Sequence, residues 1–405
     1  MRDRLAALSS DPVARLRGWP RVALAFTAGA TATLAMPPLH LVPALWVAFP
    51  MLLWLLDGCT RRRDVALVGW AFGFGHFATG FFWIANAFYV DAEMFGAFAV
   101  PAVGALSAAF GLFGAGAALA VRWFDPEIDA MPDDRAVAFA FRAAAFAIAW
   151  AALEWVRGWL LSGFPWNPMA SVWSAWPAAI QVTALIGTLG LSFLTVLAAS
   201  LAAVLGPAPR LARARWIAAV PLFALAAMTA AGAARVSGAA EATVAGVKLR
   251  LVQPNIPQAD KWRPGLREQH LTDYIALSRA APEAGITHVI WGEAAVAFAL
   301  DRDQPRRRAA AAIVPPGGAL IAGIPRADRN ALGLDAIYNS LVVIDDAADV
   351  RAIYDKIHLV PFGEYMPLRG LIPFRKLTEG TMDFSAGTVR GAIAAPGLPP
   401  FGPLI

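Results

Sequence analysis

Three charged residues in the C-terminal half of the chain are of types that could catalyse a reaction together. Glu293 follows the apolar run in HVIWGE, and Lys356 and Glu364 lie eight positions apart in YDKIHLVPFGEYMPL. A carboxylate can accept the proton of a thiol, the thiolate can attack an acyl carbon, and an ammonium group can stabilise the oxyanion that forms. With a thiol, the three residues would therefore support acyl transfer.

Each of these residues also has an ordinary structural interpretation. A carboxylate at the carboxyl end of a strand commonly faces a ligand crevice, but Glu293 could equally be an exposed residue that ends a strand. Lys356 could be a solvated loop lysine and Glu364 a loop anchor. The single cysteine, Cys59, lies in the N-terminal half, and we expect it to pack there. The five histidines lack the spacing of metal ligands, so we predict neither a metal nor another cofactor.

Alternating and apolar runs predict the elements that position these residues. Strands are expected at residues 247–251, 287–291, 319–324, 337–345 and 350–354, and a polar helix at 267–279. This order predicts a layered α/β or α+β domain over residues 244–405.

The N-terminal half has the composition of a membrane protein. The whole chain is 58% hydrophobic and 16% charged, with a mean hydropathy of +0.55. Apolar segments of about 20 residues are typical of membrane spans. We predict a bundle of about seven, at residues 21–36, 39–57, 65–89, 94–121, 136–161, 178–206 and 216–234.

The arginines predict the orientation of these spans. They cluster in residues 1–20, at 61–63, at 122 and 135, and at 210–215, whereas the alternate loops near Pro37, Asp91 and Pro165 have no Lys or Arg. Cytoplasmic loops carry the excess of basic residues. Residues 1–20 are therefore expected in the cytoplasm, 21–235 in the membrane and 244–405 outside. The same distribution explains the net charge of +5 without a nucleic-acid partner.

Two charged residues fall inside the fifth predicted span. Glu154 and Arg157, in EWVRGWLLSGFPWNP, are spaced i,i+3 and so share a helix face. Charges at membrane depth are costly and usually face a cavity or each other. They could line a lipid headgroup site or form a structural ion pair.

Four segments resemble the bacterial apolipoprotein N-acyltransferases, a family within the nitrilase-like superfamily. They are LVQPNIPQADKW (251–262), HVIWGEAA (288–295), YDKIHLVPFGEYMPL (354–368) and EWVRGWLLSGFPWNP (154–168). The resemblance covers nearly the whole chain in the same order. Where the family commonly has proline before its catalytic glutamate, this sequence has Gly292.

The resemblance implies an inner-membrane enzyme with a periplasmic nitrilase-like αββα domain. Such an enzyme moves a fatty acyl group from a phospholipid to the diacylglyceryl-cysteine of an apolipoprotein, through a cysteine acyl-enzyme. Glu293 would be the general base, Lys356 the residue that stabilises the oxyanion, Glu364 a supporting carboxylate and Trp262 a substrate-loop residue.

The resemblance also implies that the family's nucleophile follows a segment like GPLI, with which this sequence ends at Ile405. We therefore expect a truncated, incomplete sandwich, no nucleophile and no acyl-enzyme. The alternatives are a membrane-tethered amidase or nitrilase-type hydrolase, which would pass the acyl group to water, and an inactive lipid-binding fragment.

Overall fold

The structure is a computed structural model that describes residues 11–90, 92–123, 135–206, 212–239, 243–280, 285–330, 333–366 and 383–404. The predicted cytoplasmic residues 1–10, Arg210, and the last two residues of the lysine-bearing segment, Pro367 and Leu368, lie outside the described residues. The chain divides into two compact units, residues 1–240 and 241–405.

The first unit is helical. Its main helices are α1 (Trp19–Thr33), α2 (Leu45–Asp57), α3 (Arg62–Gly80), α4 (Ala99–Trp123), α5 (Arg135–Arg157), α6 (Thr183–Leu201) and α7 (Ala212–Ser237). Shorter α-helical segments are Asp11–Ala14, Ala85–Phe88, Ala92–Phe95 and Pro177–Ile180, and 3₁₀ turns are Val42–Ala44, Phe82–Ile84, Gly96–Phe98, Leu160–Ser162, Met169–Trp173 and Ala202–Leu205.

Each of the seven predicted spans overlaps one of these main helices. Four stretches are long and apolar enough to cross a membrane, namely Ala92–Trp123, Ala136–Arg157, Thr183–Leu205 and Ala212–Ser237. A fifth is the pair Arg62–Gly80 and Phe82–Phe88, which is bent by 48°. Helix α1 has 15 residues and α2 has 13, so both are shorter than a typical span. The count of seven crossings stays a prediction.

Aromatic and small side chains build the core of the helical unit. Phe49, Phe72, Phe146 and Trp150 are buried together, with ring centroids 5.6 to 6.2 Å apart. Small residues let helices approach closely in such bundles. At Gly29, for example, a Cβ atom would lie 1.9 Å from the carbonyl oxygen of Phe72.

The second unit contains one mixed sheet among its described residues. Its strands are β1 (Leu249–Val252), β2 (His288–Trp291), β3 (Ala319–Asn330), β4 (Gly333–Asp345) and β5 (Val350–Asp355), in the spatial order β1-β2-β3-β4-β5. Strands β1, β2 and β3 are parallel, and β3, β4 and β5 are antiparallel. Helices α8 (Arg267–Arg279) and α9 (Gln304–Ala311) join the parallel strands, and Pro264–Leu266 is a 3₁₀ turn.

Both faces of this sheet are covered, and the alternation of each strand decides which residue faces which side. Val289, Trp291 and Leu320 pack with residues of α8 and α9. Ile321 and Val343, on the opposite face, pack against Ile393, Leu398 and Phe401. The sheet and its two helices are consistent with the predicted nitrilase-like fold.

Candidate active site

The site lies where β2 and β5 end, and the buried residue Asn339 of β4 lies between them. Strand β2 ends at Trp291, two residues before Glu293, and β5 ends at Asp355, one residue before Lys356. The backbone N–H of Lys356 donates to the carbonyl of Asn339 at 2.8 Å, so the chain still follows β4 at this point. The sheet therefore brings residues 63 positions apart in the sequence to one edge.

Lys356 joins the two glutamates. Its Nζ atom lies 3.1 Å from Oε1 of Glu293 and 3.1 Å from Oε1 of Glu364. The Lys356 side chain is only 9% exposed and that of Glu364 13%, whereas that of Glu293 is 49% exposed. Glu293 is thus the member of the cluster that a reactant can reach most easily.

Asn339, a residue not predicted from the sequence, also bridges the two carboxylates. Its Nδ2 atom donates to Oε1 of Glu293 at 2.6 Å and to Oε1 of Glu364 at 2.9 Å. The only signal in the sequence is a polar amide within an otherwise apolar strand, IYNSLVVI. Such a residue commonly satisfies a buried partner.

Glu364 is fastened to its own loop. Its Oε2 atom accepts from the backbone N–H of Val360 at 2.7 Å, and its backbone N–H donates to the carbonyl of Val360 at 2.8 Å. The residue therefore anchors the loop and also contacts Lys356, and its supporting role in catalysis stays a prediction.

The turn that presents Glu293 is pressed against β3. The N–H of Gly323 donates to the carbonyl of Gly292 at 3.2 Å, and the N–H of Ala295 donates to the carbonyl of Gly323 at 2.9 Å. Ala294 has a φ of 44°, a conformation that costs a non-glycine residue free energy. A Cβ atom at Gly292 would meet nothing within 4 Å, so another residue fits where the family commonly has proline.

The contacts shift the pKa values of Glu293 and Lys356 toward the charged forms. Burial raises the pKa of the Glu293 carboxyl, but the hydrogen bond and charge of Lys356, with Asn339 and the charge of Lys261, outweigh it, so the pKa lies below its ordinary value. Burial lowers the pKa of Lys356, but its bonds and charge interactions with Glu293 and Glu364 outweigh that effect and raise it. At neutral pH Glu293 is therefore a carboxylate and Lys356 an ammonium ion.

A second network supports the strand that leads to Lys356. The guanidinium group of Arg326 makes two hydrogen bonds to the carboxylate of Asp355, at 2.9 and 2.6 Å, and Ser340 donates to the same carboxylate at 2.6 Å. Bidentate pairs of this kind fix geometry as well as adding free energy. They hold the end of β5 in register beside β4.

A cavity of about 160 Å³ lies beside Glu293 and Asn339. Ile290, Ile321 and Leu341 of the sheet form its apolar part. A mostly apolar pocket with a few convergent polar groups is the usual form of a small-molecule site.

Of the other predicted residues, Trp262 lies next to Lys261, whose Nζ atom donates to the backbone carbonyl of Glu293 at 3.2 Å. The carbonyl of Trp262 itself accepts from the guanidinium group of Arg267 at 3.4 Å. The Trp262 loop is thus linked to the Glu293 turn through Lys261. The role of Trp262 in substrate binding stays a prediction.

Glu154 and Arg157 are buried in the helical unit, each with partners of its own. Oε1 of Glu154 accepts from the indole of Trp150 and from the backbone N–H of Met169, both at 2.8 Å. Arg157 donates to the carbonyl of Trp166 at 2.5 Å and lies over the rings of Phe77 and Phe110. The two residues fasten the segment after α5 to that helix, and their contact with lipid stays a prediction.

The fold and this cluster define a class of protein: a helical unit with spans of membrane length, joined to an α/β domain with a glutamate–lysine–glutamate site. Comparison with known sequences identifies the family. Residues 28–201 match the apolipoprotein N-acyltransferase N-terminal domain. Proteins named apolipoprotein N-acyltransferase are similar over 96% of this chain: 35% identical in Rhodopseudomonas palustris, 39% in Bradyrhizobium diazoefficiens and 36% in Brucella melitensis.

The alignments cover 73 to 74% of those three relatives. This chain therefore belongs to the apolipoprotein N-acyltransferase family.

Proposed function

We propose that this protein transfers a fatty acyl group from a membrane phospholipid to the N-terminal diacylglyceryl-cysteine of apolipoproteins. One observation supports this most strongly. In a member of this family, a lysine lies 3.1 Å from each of two glutamates at the end of a sheet. We infer an acyl-enzyme route, in which a cysteine thiol carries the acyl group between donor and acceptor.

In the first step, the Glu293 carboxylate accepts the proton of the thiol, and the thiolate attacks the ester carbonyl of the phospholipid. The carbonyl oxygen becomes an oxyanion, which the Lys356 ammonium group stabilises. The tetrahedral intermediate then expels the lysophospholipid alkoxide, which takes the proton from Glu293. In the second step, the α-amine of the lipoprotein attacks the thioester and loses a proton to Glu293, and the thiol is released after reprotonation.

The free energy of the first proton transfer shows why Lys356 is needed. Ordinary pKa values of a thiol and a glutamate differ by about 4 units, which is roughly 5–6 kcal/mol against transfer to Glu293. The lowered pKa of Glu293 makes the transfer harder. A nearby ammonium group offsets this cost because it stabilises both the thiolate and the oxyanion. Lys356 therefore acts on the nucleophile as well as on the intermediate.

The nucleophile is the one component of this mechanism that residues 241–405 do not supply, since the only cysteine of the sequence is Cys59 in the helical unit. We therefore expect purified protein of residues 1–405 to form no acyl-enzyme. Incubation with phospholipid that carries a labelled acyl chain tests this, and a covalent acyl–protein adduct would contradict it.

We place the protein in the bacterial inner membrane, with the α/β domain in the periplasm. The arginine clusters at alternate ends of the predicted spans support this orientation. Reaction of single-cysteine variants with a membrane-impermeant thiol reagent in intact cells would test it. Residue 390 should be labelled and residue 62 should not.

A test of the function itself substitutes residues in the gene at its own locus, in cells that carry a second, repressible copy. After repression, mass spectrometry of lipoprotein N-terminal peptides reports whether the α-amine is acylated. We expect acylation with the unchanged gene and a free amine with Glu293→Gln. Glu268→Gln is the matched control, because Glu268 lies on α8 and pairs with Arg306. Continued acylation with Glu293→Gln would refute the proposal.

The same cells separate transfer from hydrolysis. A hydrolase would release free fatty acid from the phospholipid and leave the lipoprotein amine free even with the unchanged gene. That result would favour the nitrilase-type alternative.

A further inference from the structure

The loop between β1 and α8 and the turn after β2 meet at the same edge of the sheet. Strands β1 and β2 are parallel, with Val252 paired to Trp291, so both chains leave the sheet side by side. Lys261 lies in the first of these segments, and its Nζ atom donates to the backbone carbonyl of Glu293 at 3.2 Å. This bond links two segments that are 32 residues apart in the sequence.

Short-range bonds hold Lys261 in place on its own loop. The N–H of Asp260 donates to the carbonyl of Pro257 at 2.9 Å, and the N–H of Arg263 donates to the carbonyl of Asp260 at 3.1 Å. The carboxylate of Asp260 pairs with the guanidinium group of Arg263 at 2.9 Å. Lys261 thus lies in a turn that backbone hydrogen bonds close before and after it. Its bond to the carbonyl of Glu293 couples the position of that turn to the position of Glu293.

The segment at the other end of the bond is conformationally demanding. Ala294, the next residue after Glu293, has a φ of 44°. Such a conformation persists only where the surrounding structure holds it. The bond from Lys261 is made to the peptide group that directly precedes Ala294. It therefore stabilises the part of the turn that has the unfavourable backbone conformation.

We propose that Lys261 is a positioning residue for Glu293: its ammonium group fastens the Trp262 loop to the turn that presents the catalytic carboxylate. The catalytic role of Glu293 in this statement rests on the proposed function. The geometric link itself rests only on the structure. The loop carrying Trp262 and the carboxylate then move as one piece, so a ligand that displaces the loop also changes the surroundings of Glu293.

The charge of Lys261 adds an electrostatic consequence. The groups that face the Glu293 side chain are Lys356 after β5, Glu364 in the following loop, Asn339 of β4 and Lys261. Burial lowers the pKa of Lys261, and the charge of Glu293 partly offsets this, while Lys261 in turn helps to lower the pKa of Glu293. Loss of the Lys261 charge should therefore make Glu293 a stronger base.

The experiment compares Lys261→Met and Lys261→Arg with the unchanged protein of residues 1–405 in detergent. Hydrogen exchange followed by mass spectrometry reports the amides of residues 292–296. Reaction of Glu293 with a carbodiimide, which requires the protonated carboxyl, is measured as a function of pH. Neither measurement depends on acyl transfer. Lys248→Met is the matched control, because Lys248 lies before β1, at the opposite end of that strand from the Lys261 loop.

We expect Lys261→Met to speed exchange of residues 292–296 about tenfold and to move the midpoint of carbodiimide labelling to higher pH. Lys261→Arg should restore both toward the unchanged protein, because a guanidinium group also donates to a carbonyl. Equal exchange and labelling in Lys261→Met and the unchanged protein would overturn the proposal, as would failure of Lys261→Arg to restore either. If Glu293→Gln cells kept acylated lipoproteins, the proposed function would fail while this link could stand.

Discussion

Gly323 is the residue whose substitution tests the geometry of the site most sharply. A Cβ atom at this position would lie 2.5 Å from the backbone nitrogen of Ala294, 2.6 Å from the carbonyl oxygen of Gly292 and 2.7 Å from Cα of Glu293. All three are backbone atoms, so no side chain can rotate away. To reach ordinary contact at 3.4 Å from 2.5 Å, the turn must move by about 0.9 Å.

In Gly323→Ala, a displacement of this size should weaken the hydrogen bonds of the turn and the contact between Glu293 and Lys356. The two hydrogen bonds that join Gly323 to the turn, at 3.2 and 2.9 Å, would lengthen. At about 1 kcal/mol each, their loss costs roughly 2 kcal/mol locally. If Glu293 follows the turn, its distance of 3.1 Å to Lys356 becomes about 4 Å, beyond hydrogen-bond range.

Zero-length cross-linking of Glu293 to Lys356 by a carbodiimide provides the assay, because it requires the two groups to be in contact. We expect Gly323→Ala to reduce the cross-linked peptide at least about tenfold and to speed hydrogen exchange of residues 292–296. Gly292→Ala is the matched control in the same turn, since a Cβ atom there would meet nothing within 4 Å. Cross-linking of Gly323→Ala at the level of the unchanged protein would refute the argument that the turn is held by close packing.

Three further predictions concern the groups around Lys356. Asn339→Asp places a third carboxylate beside Glu293 and Glu364, so the pKa of Glu293 should rise, and carbodiimide labelling at pH 6 should increase relative to the unchanged protein; unchanged labelling would contradict it. The pKa of Glu293 is lowered in the folded protein, so its contribution to stability is present above the ordinary value of about 4.3 and is lost as pH falls through the lowered value. Protection of the amides of residues 292–296 from hydrogen exchange, corrected for intrinsic exchange, should therefore hold from pH 7 to about 5 and then fall. Glu293→Gln should show no such fall. Arg326→Met leaves Asp355 without its bidentate partner and should lower the free energy of unfolding by about 2 kcal/mol. Arg302→Met is the control, because the pair of Arg302 with Asp328 is exposed, and it should lower that free energy by under about 1 kcal/mol. Equal shifts of the thermal midpoint in the two variants would contradict this prediction.

The sequence predicted most of the elements of the α/β unit. Helix α8 has the predicted bounds, Arg267–Arg279, and all five predicted strands are present. Strands β3 and β4 are longer than expected, because their paired ends continue through polar residues that have no alternating pattern. Helix α9 was missed, since its sequence QPRRRAAA has too few apolar residues for a helical periodicity.

The charged residues of the candidate site could also be predicted from the sequence, but the groups that hold them could not. Glu293, Lys356 and Glu364 are conspicuous because charged groups follow apolar runs. Asn339 and Lys261 act through partners 46 and 32 residues away, and only the register of the sheet reveals such pairs. Gly323 looks like any glycine in a strand until the turn packed against it is seen.

The burial of Glu154 and Arg157 depends on tertiary structure in the same way. Their spacing predicted a shared helix face, and they do lie near each other around a small cavity with Phe77 and Trp150. What the spacing could not show is that their hydrogen bonds go to Met169 and Trp166 in the following segment. Those bonds depend on how the chain folds back after α5.

The most direct test is to look for the acyl group on the lipoproteins of cells that carry this gene. After repression of the second copy, the cells are fed a labelled fatty acid, and the N-terminal peptides of their lipoproteins are tested for label that hydroxylamine does not remove, as expected of an amide. We predict such label with the unchanged gene and with Glu268→Gln, and its absence with Glu293→Gln and Lys356→Met. No amide-linked label with the unchanged gene, or equal label with Glu293→Gln, would contradict the assignment of this cluster as the acyl-transfer site.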